Sequence, residues 1–168
     1  MGNIKSPIPT MQVMSHQVLT ARKRFLAGTA IILICDHKME PPKLHVNTRT
    51  CVGMTTVCFD DVEKGEPHCI TRKNAETILA GVLCSSDIRH IIVSCPGGVS
   101  RSPAVAAAVL RKLGGDDTSI WMNGRYTPNE TVFRTVAEVG DGFPVDFADL
   151  AAKQLANLKA WKKKNDLD

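Results

Sequence analysis

Apolar positions along this chain fall into two rhythms. Ala30-Ile31-Ile32-Leu33-Ile34-Cys35 is an unbroken, mostly branched apolar run, the pattern of a strand covered on both faces. Residues 52–59 read as a second strand ending at Asp60-Asp61, and Ile91-Ile92-Val93 as a third buried one. Helical spacing appears between them. Val13, Val18, Leu19, Phe25 and Leu26, interleaved with Arg22-Lys23-Arg24, predict a short helix over residues 13–26, ended by Gly28. Thr71 can cap a helix running to Leu83 with Ile78, Leu79, Val82 and Leu83 on its apolar side. Residues 102–113 predict another, stopped by Gly114-Gly115.

Two more helices are predicted over residues 131–139 and 147–161. The last carries a stripe of Phe147, Leu150, Ala151, Leu155, Leu158 and Trp161 suited to docking on a sheet. Pro7 and Pro9 leave residues 1–10 as a loose extension, and residues 36–42 form a turn closed by Pro41-Pro42. Strands alternating with helices predict one α/β domain over residues 11–168, with a central, mostly parallel sheet of four to five strands flanked by helices.

Composition narrows the class without changing that picture. With 168 residues, the chain is long enough to bury one core. Its net charge of +4 is mild, and the run of Lys159, Lys162, Lys163 and Lys164 reads as a solvated helix end. No basic stretch interleaved with aromatics points to nucleic acid, and no apolar stretch has the length of a membrane span. The start lacks the pattern of a secretory signal, so the six cysteines read as reduced thiols of a cytoplasmic protein. Cys51, Cys58, His68 and Cys69 lack the close spacing of a zinc site; neither metal nor cofactor is expected. Met1-Gly2-Asn3-Ile4-Lys5-Ser6 also matches the pattern for N-myristoylation at Gly2, although a loose extension is the favoured reading.

The chemistry concentrates in Ser94-Cys95-Pro96-Gly97-Gly98-Val99-Ser100-Arg101-Ser102-Pro103, between a buried strand and an apolar helix. A turn at that junction gathers backbone N–H groups around an anion site, and the helix dipole adds positive charge. Gly97 and Gly98 allow a tight turn and close approach to a phosphate. A cysteine at the base of such a nest meets the same N–H groups, which favour its thiolate. Arg101 can grip two phosphate oxygens with a planar fork, and Pro103 suits the first helical turn. Each residue alone has a plain structural explanation; the combination at this spacing is what points to catalysis. Cys95 and Arg101 are thus the expected catalytic pair, with Pro96, Gly97, Gly98, Val99, Ser100 and Arg101 cradling phosphate.

Cys95-x5-Arg101-Ser102, with its preceding strand and following Pro103-Ala104-Val105, resembles the signature loop of the protein tyrosine phosphatase superfamily. It is most similar to the small dual-specificity type and bacterial-type relatives. The resemblance spans residues 52–113 and, more weakly, Tyr126-Thr127-Pro128-Asn129. It implies a phosphocysteine intermediate on Cys95 and a hydroxyl at Ser102 that stabilises the departing thiolate, with a plain helix N-cap as the other role for Ser102. It also implies an aspartate general acid roughly thirty residues upstream, where Asp60 and Asp61 stand. Asp61 is preferred, and His68 is a fallback. The family usually has histidine before the nucleophile; Ser94 stands here, which predicts a less firmly organised loop and modest turnover.

The five residues between Cys95 and Arg101 include no lysine or arginine, so a phosphoprotein or simple aryl phosphate is expected rather than an inositol polyphosphate. The function expected is hydrolysis of phosphomonoesters, phosphotyrosine and also phosphoserine or phosphothreonine. Three rivals stay open: a rhodanese-like sulfurtransferase, an RNA 5′-phosphatase, and a phosphoprotein-binding module without turnover.

Overall fold

In a computed structural model, residues 7–46 and 49–141 are described. The predicted helix over residues 147–161, the lysine run and the Gly2 motif lie outside the described residues. The sheet has four strands, β1 (Thr10–Ser15), β2 (Thr29–Cys35), β3 (Cys51–Cys58) and β4 (His90–Cys95), all parallel in the order β1-β4-β2-β3. The helices are α1 (His16–Ala21), α2 (Arg72–Leu83), α3 (Arg101–Lys112), α4 (Thr118–Trp121) and α5 (Glu130–Asp141). An α/β domain built on a parallel sheet is what the alternating pattern predicts.

The fully buried run of β2 sits between β4 and β3, where both of its faces meet side chains. Ala30, Ile32, Ile34, Ile91 and Val93 face one layer, made by Ile78, Leu79 and Val82 of α2, the small residues 104–109 of α3, and Val132, Phe133 and Val136 of α5. Burying each branched aliphatic side chain here is worth about 1.5–3 kcal/mol. Ile31, Leu33 and Ile92 face the other side, under Leu19 and Phe25. Thr71 caps α2 as expected: its Oγ1 accepts from Asn74 N at 3.2 Å while Asn74 Oδ1 accepts from Thr71 N at 2.9 Å.

The predicted helix over residues 13–26 is corrected. Its first residues are the edge strand β1, and only His16–Ala21 is helical. Met11 and Val13 alternate onto the core, and pairing with β4 across six registered residues outweighs a local helical spacing. Thr118–Trp121 is a short helix where none was expected. It is anchored by Trp121, whose Nε1 donates to Asp117 Oδ2 at 2.9 Å and whose ring meets Phe133 edge-on. No helix among the described residues is long and apolar enough to cross a membrane.

Registers Ser15↔Cys95, Leu33↔Ser94 and Cys35↔Cys58 bring the carboxyl ends of all four strands to one edge. β4 lies inside the sheet, between strands that precede it in sequence. A crevice at the carboxyl ends of parallel strands is the usual place for a ligand in such sheets.

Candidate active site

β4 delivers Cys95 to that edge and α3 begins at Arg101, so residues 96–100 must reverse the chain in five residues. The reversal turns on Gly98, with φ +67°. A Cβ there would stand 2.5 Å from Ser15 N and 2.8 Å from Met14 C, so the loop is pressed against the end of β1 and only glycine fits. Gly97 is different: it has no positive φ, and a Cβ would meet nothing within 4 Å. The expectation that both glycines are needed for the turn therefore narrows to Gly98.

The sulfur of Cys95 sits at the floor of the loop, and the residue is 2% exposed. Gly98 N donates to Sγ at 3.2 Å, and Ser102 Oγ lies 3.1 Å from Sγ. Ser102 is not the N-cap. That position is Ser100, and Ser102 lies inside the first turn with its hydroxyl on the sulfur. The outer side of the loop is braced by Thr127 N donating to Val99 O at 3.0 Å and Asn129 N donating to Ser100 O at 3.1 Å. Pro96 and Val99 supply main chain to the same turn, with the Val99 side chain exposed.

Arg101 is 5% exposed, and one end of its fork is fully engaged. Nη1 donates to Asp36 Oδ1 at 2.6 Å and to Phe59 O at 2.7 Å. Nε is buried without a hydrogen-bond partner among the described residues. A buried donor on a charged group left unpaired costs about 1–3 kcal/mol or more, so this edge of the guanidinium is ready to donate to an oxygen of an anion.

The two carboxylates past β3 part company. Asp60 accepts from His37 N at 3.0 Å and pairs with His37 Nδ1 at 2.7 Å. The His37 backbone N–H foremost, then the His37 ring bond and the nearby charges of His37 and His68, hold the Asp60 carboxyl below its usual range. His68, at φ +60°, stacks its ring on His37 with centroids 3.5 Å apart, and its carbonyl accepts from Asp60 N at 2.8 Å. Asp61 faces the loop instead. Its Oδ1 accepts from Ser100 Oγ at 2.9 Å and from Asn129 Nδ2 at 2.8 Å. Cys95, Ser100, Arg101, Ser102 and Asp61 are brought together; Asp60 and His68 form a separate cluster with His37.

Behind the loop, Ser94 is fully buried and its Oγ has no partner among the described residues. His16, the first residue of α1, buries its Nε2 without a partner as well. Burial holds its imidazole below the ordinary range and the Arg101 charge pushes the same way, while backbone bonds at Ser94 and Ile34 oppose.

Four residues of this neighbourhood escaped the sequence reading in their present positions: Asp36, His37, His16 and the side chain of Asn129. A signal existed for Asp36, which directly follows the buried strand β2. Among the described residues no group of three or more His, Cys, Asp or Glu side chains is arranged to hold a metal ion.

No family model matches the chain, and no curated protein matches it. Among solved structures it is similar to human DUSP28, at 15% identity and a TM-score of 0.41, covering 94% of this chain and 96% of that one. A point variant of human DUSP28 gives 16%, 0.43, 94% and 99% for the same quantities. A mouse chain described as a dual specificity phosphatase, complexed with zinc tungstate, gives 18%, 0.38, 84% and 76%.

Proposed function

We propose that this chain is a cysteine-dependent phosphatase that hydrolyses phosphomonoesters, with phosphotyrosine and also phosphoserine or phosphothreonine as the substrate class. One observation carries the reading: Cys95 Sγ meets both Gly98 N–H and Ser102 Oγ in a loop whose closing residue, Arg101, buries an Nε that has no partner among the described residues. An amide donor and a hydroxyl on one sulfur, in a loop that closes on a buried arginine, suit a cradle for a dianion next to a nucleophile.

In this reaction the Cys95 thiolate attacks phosphorus, an S–P bond forms, and the P–O bond to the leaving group breaks. The Asp61 carboxyl gives its proton to the departing oxygen. Asp61 is favoured over Asp60 because it hangs over the loop through Ser100, whereas Asp60 is held as a carboxylate by His37. Water then attacks phosphorus, the S–P bond breaks, and the Asp61 carboxylate takes the water proton. Ser102 stabilises the sulfur as it leaves. The main-chain N–H groups that follow Pro96, itself without an N–H, bind the phosphoryl oxygens, and Arg101 binds them through its Nε edge.

The test is hydrolysis of p-nitrophenyl phosphate by the wild-type chain and by Cys95→Ser. Activity that vanishes in the variant supports the reading; activity that persists rejects it. Sulfur transfer from thiosulfate that is indifferent to Asp61→Asn would point to a sulfurtransferase instead. Salt-sensitive release from RNA 5′-triphosphates would point to an RNA phosphatase.

A further inference from the structure

Two cysteines outside this chemistry stand side by side at its edge. Cys35 closes β2 and Cys58 closes β3, and they are registered partners in the parallel pair, joined by Phe59 N donating to Cys35 O at 2.9 Å. Alternation along the strands puts both side chains on one face. Cys35 follows Ile31 and Leu33 on the second-layer side, and Cys58 follows Met54, the register partner of Ile31. Cys95 follows Ile91 and Val93 onto the opposite face, so the neighbour of Cys58 is Cys35 and not the nucleophile. Cys58 is exposed and Cys35 buried. The two thiols also sense each other: burial raises Cys35 above the ordinary thiol range, and the Cys58 charge raises it further.

The residues that follow give the pair its meaning. Asp36 comes directly after Cys35, and Phe59 directly after Cys58; these two supply both acceptors of Arg101 Nη1. Any change in the spacing of the two strand ends is passed to the guanidinium.

We propose that Cys35 and Cys58 are an oxidation site, closing to a disulfide under a peroxide and loosening the hold on Arg101. The consequence for Arg101 rests on the phosphate-binding role proposed above; the disulfide does not. The exposed Cys58 sulfur attacks one peroxide oxygen, the O–O bond breaks, and the thiol proton joins the departing hydroxide as one water, leaving a sulfenic acid. Cys35 sulfur then attacks Cys58 sulfur, the S–S bond forms, the S–O bond breaks, and a second water leaves. Two thiols lose two electrons and one hydrogen peroxide gains them.

Neighbouring strands lie about 4.7–4.9 Å apart, inside the Cα range of a disulfide, while its Cβ atoms must approach to roughly 3.8 Å. Closing the bond pulls on the Cβ atoms of both strand ends, and Asp36 and Phe59 follow those residues directly. A misplacement of about 1 Å next to a reacting centre can cost on the order of a hundredfold.

The experiment uses the full chain carrying Cys95→Ser, so that the nucleophile cannot consume oxidant. After one equivalent of hydrogen peroxide, a non-reducing tryptic digest is read by mass spectrometry, with fragmentation separating Cys58 from Cys51 on their shared peptide. The expected result is a Cys35–Cys58 linked pair that dithiothreitol releases and Cys58→Ser abolishes. Cys58 accumulating as sulfinic acid, or paired elsewhere with Cys35 still free, overturns the site. Calorimetric titration with inorganic phosphate reads the consequence: the oxidised form should bind at least about tenfold more weakly than the reduced form. Equal affinities overturn the control of Arg101. A reduced form that binds no phosphate overturns the phosphatase reading and that control with it, while the linked peptides still decide the disulfide.

Discussion

Arg101 Nη1 lies 2.6 Å from Asp36 Oδ1, an ion pair between side chains 6% and 38% exposed. The pair fixes one side of the guanidinium, while Nε is buried without a partner among the described residues. Hydrogen bonds to charged groups contribute about 1.5–3 kcal/mol, which corresponds to roughly ten- to hundredfold in rate. Asp36→Ala should lower kcat/KM on aryl phosphates by that factor while the circular dichroism spectrum is unchanged. Arg101→Lys should cost more, because an ammonium cannot replace the fork.

The two loop glycines should respond in opposite ways. Gly98→Ala places a methyl against the Ser15 backbone at a positive φ, so phosphate binding and activity should be largely lost. Gly97→Ala meets open space and should keep activity within a few-fold, about the scale of an unstrained surface change. Steady-state kinetics on the two variants checks this directly.

Leaving-group dependence separates the carboxylates. A general acid contributes about 10²–10⁴-fold, and most where the leaving group is basic. Asp61→Asn should slow alkyl phosphate hydrolysis by about a hundredfold or more and p-nitrophenyl phosphate much less. Asp60→Asn should leave that leaving-group dependence as in the wild type, since Asp60 serves His37.

His16 makes stability depend on pH with a definite sign. Burial foremost, and then the Arg101 charge, lower its folded value below the ordinary 6.5 against the opposing backbone bonds at Ser94 and Ile34 and the charge of Asp36. The unfolded chain therefore binds the proton first as pH falls. The stability gained from a neutral His16 is complete above pH 6.5 and is lost as pH drops through the folded value. Thermal melts from pH 7.5 to 5.0 should show a steeper decline in Tm for the wild type than for His16→Gln.

Much of the frame was legible because it is local. The run Ala30 to Cys35 can only be a buried strand, Thr71 announces α2, and the Cys95–Arg101 spacing marks the strand-to-helix turn. Edge strand β1 was hidden because Val13, Val18 and Leu19 also suit a helix, and only pairing with β4, some eighty residues away, decides between them. The partners of the site were hidden for the same reason. Asp36 reaches Arg101 across 65 residues, and Asn129 reaches Asp61 across 68. The end of a buried strand marks Asp36 as a position at the sheet edge, but nothing near either residue in sequence names its partner. The choice between Asp60 and Asp61 likewise turns on His37 and Ser100, which topology alone brings to them.

The central claim is covalent chemistry at one sulfur. Rapid acid quench of the wild-type chain during p-nitrophenyl phosphate turnover, followed by peptide mass spectrometry, reads it directly. The account predicts a phosphoryl group on the Cys95 peptide, accumulating further in Asp61→Asn and absent in Cys95→Ser. Turnover with that peptide unmodified in both the wild type and Asp61→Asn, or a phosphoryl group on another residue, would contradict it.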